Sequence, residues 1–252
     1  MTATTLQPAQ HHAAQNSLTT RGHVIVLTGR GENAELYQRL GARLAFDGYA
    51  VSVVELPDLD AIDVAWLDGV ELWSGARDAG ALTFVGSDSG ALVAAYLAAR
   101  LGASAAVLAG IGGLELAPAA ADAEALIAAR SACPVHRGRL ASSRADLGAP
   151  AVQRFTAAAA AVLRSTVVDV PALAIHGEAD AVTPLDDALA QYRELAPAAD
   201  VVTVAGGLHD ILNDLTHRSV SAEIVQFLER GGRPLLTRTA PAGELVPAGA
   251  GR

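Results

Sequence analysis

The chain has 252 residues, enough for one medium domain or a domain with an insert; 51% are hydrophobic and only 4% aromatic, so its core must be built from Ala, Val and Leu. The net charge is −9, and all 18 basic residues are arginine with no basic run, which argues against nucleic acid as a partner because phosphate neutralisation needs clustered positive charge. Without lysine there can be no lysine Schiff base, and so no pyridoxal phosphate linkage; no cofactor is expected.

Residues 1–21 are small and polar, and an unstructured tail is expected there, as it is over 236–252. Neither a signal-peptide pattern nor an apolar run of the ~20 residues needed to span a bilayer is present, and the single Cys133 cannot form an internal disulfide. A cytoplasmic protein, monomeric or homodimeric, with a small-molecule substrate and no membrane partner is expected.

Between the tails, short apolar runs bounded by Gly, Pro or Asp predict strands at 23–28, 50–55, 82–85, 105–108, 172–175 and 201–204. They alternate with predicted helices at 34–46, 65–79, 91–100, 185–195 and 219–230. Such alternation argues for βαβ units and a parallel sheet with helices on both faces. The interval 112–170 breaks the pattern. It reads as a helix over 117–130, a Cys-Pro connector over 131–140 and a second helix over 151–164, together a small helical cap inserted between core segments 22–111 and 171–232.

In open α/β sheets reactive groups gather at the carboxyl ends of strands. After the first predicted strand comes the glycine loop Thr28-Gly29-Arg30-Gly31-Glu32, whose free N–H groups can hold developing negative charge. After the third comes Gly86-Ser87-Asp88-Ser89-Gly90, a strand–turn–helix junction with aspartate at its centre. Asp180 follows the fifth strand in His176-Gly177-Glu178-Ala179-Asp180, and His209 follows the sixth in Gly206-Gly207-Leu208-His209-Asp210.

These motifs, in this order, resemble the α/β-hydrolase superfamily over residues 22–230, in particular its lysophospholipase-like and monoacylglycerol-lipase-like branch. The resemblance implies an α/β-hydrolase fold. It also implies a nucleophile at Asp88, a histidine at His209, an orienting acid at Asp180, and oxyanion donors at the backbone N–H groups of Arg30 and Ser89. Aspartate in place of serine departs from that branch and is similar to haloalkane dehalogenase-like, haloacetate dehalogenase-like and epoxide hydrolase-like members. A carboxylate needs no deprotonation to attack carbon. His209 would then activate water against the resulting ester, whereas attack on a carboxylic ester would give an anhydride.

The expected hydrolase thus acts on an epoxide, a haloalkane or a haloacid. Its alternatives are a non-hydrolytic enzyme with Asp88 as general base, an esterase-like protein or a catalytically silent binding homologue. Other open assignments are Ser87 or Ser89 as nucleophile in a shifted register, Glu178 as the orienting acid, and a metal site at His209, Asp210 and His217. His136, Arg137 and Arg139 in the predicted cap are placed to recognise a substrate carboxylate.

Overall fold

The computed structural model describes residues 4–15, 19–77, 80–114, 122–142, 154–231 and 233. Two short strands open the chain, β1 (Thr4–Leu6) and β2 (Gln10–His12). Strand β3 (His23–Leu27) follows, then a 3-10 turn at Ala34–Tyr37, helix α1 (Gln38–Phe46) and strand β4 (Ala50–Val54). Next come α2 (Val64–Gly69), β5 (Val70–Leu72), α3 (Ser74–Arg77), β6 (Leu82–Asp88), α4 (Ser89–Arg100) and β7 (Ala105–Ile111). The helical interval holds α5 (Ala123–Arg130), α6 (Pro134–Ser142) and α7 (Ala157–Ser165). The chain returns through β8 (Ala172–Gly177), α8 (Leu185–Leu195), β9 (Asp200–Val204) and α9 (His217–Arg230).

The seven-stranded sheet has the order β2-β4-β3-β6-β7-β8-β9, parallel throughout except for β2 against β4. Side chains alternate across it, as the two-residue period of a strand requires. Ile25, Leu27, Phe84, Ala106, Leu108 and Ala174 join one core with α4, α7 and α8. Val24, Val26, Val85, Val107, Leu173 and Ile175 join the other, with α1 and α9. Because both faces of the central strands β3, β6, β7 and β8 are covered, they read as apolar runs rather than as alternating ones. No helix among the described residues is long and apolar enough to cross a membrane.

Three segments differ from the sequence reading. Part of the expected N-terminal tail is ordered: β1 pairs with β5, and β2 pairs with β4. Strand pairing holds them, Leu6 adds burial in the core, and the Ser52 side chain bridges the first strands to the sheet, its Oγ 3.0 Å from His11 Nδ1 and 2.9 Å from His23 Nε2. The helix expected over 65–79 stops at Gly69, because Val70 and Leu72 bury their side chains as a strand while Glu71 between them is exposed. The connector expected over 131–140 is largely helix α6, with Pro134 at its first position, where a missing N–H costs nothing. Within the predicted cap interval, Phe155, Ala159 and Leu163 pack into the same core as α4, and Leu140 packs into the core of α1. The starts of the predicted helices over 117–130 and 151–164 lie outside the described residues, as does all of the expected tail over 236–252.

The junction of β6 and α4 is closely packed on its backbone. A Cβ at Gly86 would lie 2.2 Å from the Gly90 carbonyl oxygen, and one at Gly90 would lie 2.4 Å from the Thr28 carbonyl oxygen. The obstacles are backbone atoms, so they cannot rotate away. Gly86→Ala is therefore expected to destabilise the protein by about 3 kcal/mol, at the upper end of ordinary overpacking, as read from its urea unfolding midpoint against the parent protein.

Candidate active site

Between those glycines Asp88 ends β6 with φ 52° and ψ −127°, the one positive φ of a non-glycine residue among those described. Such a backbone is strained for any residue with a Cβ and persists only where its surroundings enforce it. Here the close seating of α4 on β3 and β6 does so, and the bend lifts the Asp88 side chain off the sheet end. Gly112, just past β7, leaves room for it; a Cβ there would fall 1.9 Å from Asp88 Oδ1.

The parallel sheet brings three other loops to the same end. His209, beyond β9, sets its Nδ1 2.8 Å from Asp180 Oδ2 and its Nε2 3.7 Å from Asp88 Oδ1. The first is a hydrogen bond and the second a longer ion-pair distance. Asp180 is fixed in turn: its Oδ1 accepts the N–H groups of Val182 at 2.8 Å and Thr183 at 3.0 Å. Its Oδ2 also lies 3.1 Å from His176 Nε2, whose ring is held 2.8 Å from the Thr183 carbonyl oxygen.

Asp88 Oδ2 accepts a hydrogen bond from Arg30 N–H at 3.3 Å and another from Arg130 Nη1 at 3.4 Å. Arg130 lies at the end of α5 and is almost fully buried. Its Nη2 meets the Glu32 carboxylate and lies 2.8 Å from Asp210 Oδ1. Asp210 Oδ2 is 2.7 Å from His136 Nε2, and the Asp210 N–H donates to the Arg130 carbonyl oxygen at 2.8 Å. Glu32 Oε2 accepts the Gly29 N–H at 2.8 Å and the Tyr37 hydroxyl, which fixes the glycine loop.

These neighbours set the protonation states. Burial pushes the Asp88 carboxyl up, but His209, Arg130 and Arg30 outweigh it and hold it well below the usual carboxylate range. Burial acts against the His209 imidazolium too, and the Asp180 and Asp88 carboxylates overcome it, raising its pKa to about 10. Asp180 is likewise held well below its ordinary value: burial opposes, and His176 and His209 prevail. The resting arrangement is thus a carboxylate, an imidazolium and a second carboxylate in line.

Of the residues singled out in the sequence, Asp88, His209, Asp180 and the Arg30 N–H come together. The hydrogen bonds of the Asp88 carboxylate run to Arg30 and Arg130, not to the Ser89 N–H. His136 faces Asp210 inside the protein. Arg139 lies on the outer side against the Glu35 carbonyl oxygen and Gln38, beside a surface cleft of about 340 Å³ that does not include Asp88. With Arg137 half-buried between them on α6, the three do not converge on one ligand. Ser87 and Ser89 flank the bend without facing His209 in any hydrogen bond, and Glu178 is exposed and accepts from Thr203 Oγ1. Among the described residues no group of His, Cys, Asp and Glu is arranged to hold a metal, and His217 Nδ1 is taken up by the Asp214 carbonyl oxygen. The sequence reading passed over Arg130 and quoted His176 in the Asp180 loop without giving it a role. Glu32 and Asp210 stood inside the glycine-loop and histidine motifs without a role in the charge network, Asp210 having been weighed only as a metal ligand.

A family model described as TAP-like protein, of the α/β-hydrolase type, matches residues 151–239, the segment that carries Asp180 and His209 but not Asp88. No curated protein matches the sequence. Among solved structures, the chain is similar to the monoacylglycerol lipase of Paleococcus ferrophilus, with 17% identity, a TM-score of 0.65, and 90% of this chain and 99% of that one covered. A soluble variant of monoglyceride lipase from Saccharomyces cerevisiae aligns with 14% identity and a TM-score of 0.66, covering 92% and 96%. The enol-lactonase from Burkholderia xenovorans aligns with 15% identity and a TM-score of 0.67, covering 87% and 95%. At such identities the likeness establishes the architecture: the chain has the α/β-hydrolase fold.

The line of charges has a consequence for stability. A histidine whose folded pKa is raised stabilises fully below its free value of 6.5 and loses that contribution as pH climbs through about 10. The depressed carboxylates of Asp88 and Asp180 act in the opposite sense, contributing above their free value of 3.8 and losing it only in strong acid. The thermal midpoint is expected to be highest between these limits and to fall steadily from pH 6.5 to 10. His209→Gln is expected to remove the alkaline decline, as measured by calorimetry across that range.

Proposed function

We propose that this protein is a cofactor-independent hydrolase that attacks an electrophilic sp³ carbon, in an epoxide or a small organic halide, with the Asp88 carboxylate. The observation that carries this reading is the unequal treatment of the two Asp88 oxygens. Oδ2 is held by Arg30 N–H and Arg130, whereas Oδ1 faces His209 Nε2 at 3.7 Å with no hydrogen bond. A carboxylate so clamped has one oxygen anchored and one free to react.

Oδ1 forms a bond to the substrate carbon, and the bond to halide or ring oxygen breaks with its electron pair. The product is an ester on Asp88. Its formation removes the charge that helped keep His209 protonated, so the imidazole releases its proton, to solvent with a halide or to the opened ring oxygen. Neutral His209 then takes a proton from water as the water oxygen bonds to Asp88 Cγ. Negative charge develops on Oδ2, where its two donors already stand. Collapse breaks the Cγ–Oδ1 bond; the alcohol leaves with Oδ1 and the proton from His209. The water oxygen stays in the carboxylate, and its remaining proton restores the imidazolium.

The same electrostatics speak against Asp88 as a general base, because a carboxyl held far below its ordinary pKa is a weak proton acceptor. Attack on a carboxylic ester would yield an anhydride, which sets this site apart from serine-based lipolytic chemistry. The neighbours described as lipases and a lactonase therefore support the hydrolase reading in its general form and leave the electrophile to Asp88.

The test is intact-mass spectrometry of His209→Gln after incubation with styrene oxide, epichlorohydrin, bromoacetate and 1-bromohexane. A stable adduct on Asp88 is expected, absent in Asp88→Ala. A single turnover of the parent protein in ¹⁸O-water is expected to label the Asp88 peptide and not the product. An unlabelled Asp88 with labelled alcohol would show direct attack by water and overturn the covalent route.

A further inference from the structure

We infer that Arg130 is a catalytic residue, the side-chain donor that completes the oxyanion pocket around Asp88 Oδ2. This rests on the covalent reading above and extends it to a residue outside the strand-end motifs. Three observations converge on it. The first is reach: Nη1 hydrogen-bonds Oδ2 at 3.4 Å, beside the Arg30 N–H at 3.3 Å, so two donors from different parts of the chain meet one oxygen. That oxygen is the one on which charge builds during ester hydrolysis.

The second is confinement. The guanidinium is buried, and its Nη2 is engaged by Glu32 and Asp210. Its planar fork is therefore held from swinging out toward a substrate anion, with Nη2 fixed on two carboxylates and Nη1 on Asp88. The third is anchoring at both ends. The Arg130 carbonyl oxygen accepts the Asp210 N–H, next to His209, at 2.8 Å. Glu32 meanwhile ties the guanidinium to Gly29, next to Arg30. Arg130 thus binds the histidine loop and the glycine loop to the reacting carboxylate, and the three must keep register for hydrolysis to proceed.

A preorganised donor at this oxygen matters more to the second step than to the first. In the first step Asp88 loses charge as the ester forms, and the donor gains nothing by being there. In the second step Oδ2 passes from ester carbonyl to oxyanion, and the guanidinium stabilises the change without reorganisation.

The experiment follows formation and decay of the Asp88 adduct by rapid-quench mass spectrometry, with styrene oxide and bromoacetate as probes. Arg130→Gln is expected to decay about 10²-fold more slowly than the parent protein, as when an oxyanion donor is removed, with adduct formation changed less than about tenfold. Adduct should accordingly accumulate with His209 intact. Arg130→Lys, which keeps the charge that Glu32 and Asp210 require but lacks a fork able to reach all three carboxylates, is expected to fold and to decay at least about tenfold more slowly. Should the glutamine variant fail to fold, the lysine variant decides the matter. A merely structural role would slow both steps alike, and parent-like decay in a folded variant would overturn the assignment while leaving the covalent reading intact. If His209→Gln forms no adduct with either probe, the covalent reading falls, and this assignment with it.

Discussion

An ionised carboxylate buried at the end of a sheet is the constraint around which this protein is organised. Moved alone from water into the protein, such a charge costs several kcal/mol or more. Asp88 is kept there by opposite charge on two sides, Arg130 and the His209 imidazolium, and by one backbone donor, Arg30 N–H. Each cation carries its own acids, Glu32 and Asp210 for the guanidinium and Asp180 for the imidazole. Burial makes every one of these attractions stronger, and removing Arg130 would leave Glu32, Asp210 and Asp88 without the guanidinium they share. The network is consequently rigid where a reaction needs rigidity.

The backbone enforces the same arrangement by packing. Strands β3 and β6 lie side by side in register, Leu27 opposite Gly86, so the two loops that follow them emerge together. Glycine at 86 and at 90 lets α4 sit directly on the sheet, and the chain turns through the strained conformation at Asp88 because no roomier path exists. Strain and charge act on the same residue: the bend projects the carboxylate, and the ion pairs hold it projected.

Much of this was legible in the amino-acid order. The central strands read as apolar runs because both faces are buried, and the glycine-bracketed Asp88 reads as a bend because no other residues fit its flanks. Asp180 and His209 were findable for a similar reason, each following a strand by a few residues on a glycine-containing loop. Reading failed where the stabilising contacts are distant or purely backbone. Strand β2 is a Gln-His-His triplet that says nothing by itself; the vacant edge of β4 gives it structure. Residues 65–79 read as one helix, but pairing with β1 turns 70–72 into a strand.

The sequence by itself determined the order of the core strands and their flanking helices, the sharp turn at Asp88 and the positions of an acid and a histidine after later strands. These are local consequences of periodicity, β-branching and the absence of a Cβ. Tertiary structure alone decided that Arg130, 42 residues from Asp88 and 98 from Glu32, sits between them, and that His136 and Arg139 from the same helix serve different surroundings. An arginine at a helix end is equally at home in water. Which one is buried depends on where carboxylates from other segments meet, and that is a property of the folded chain.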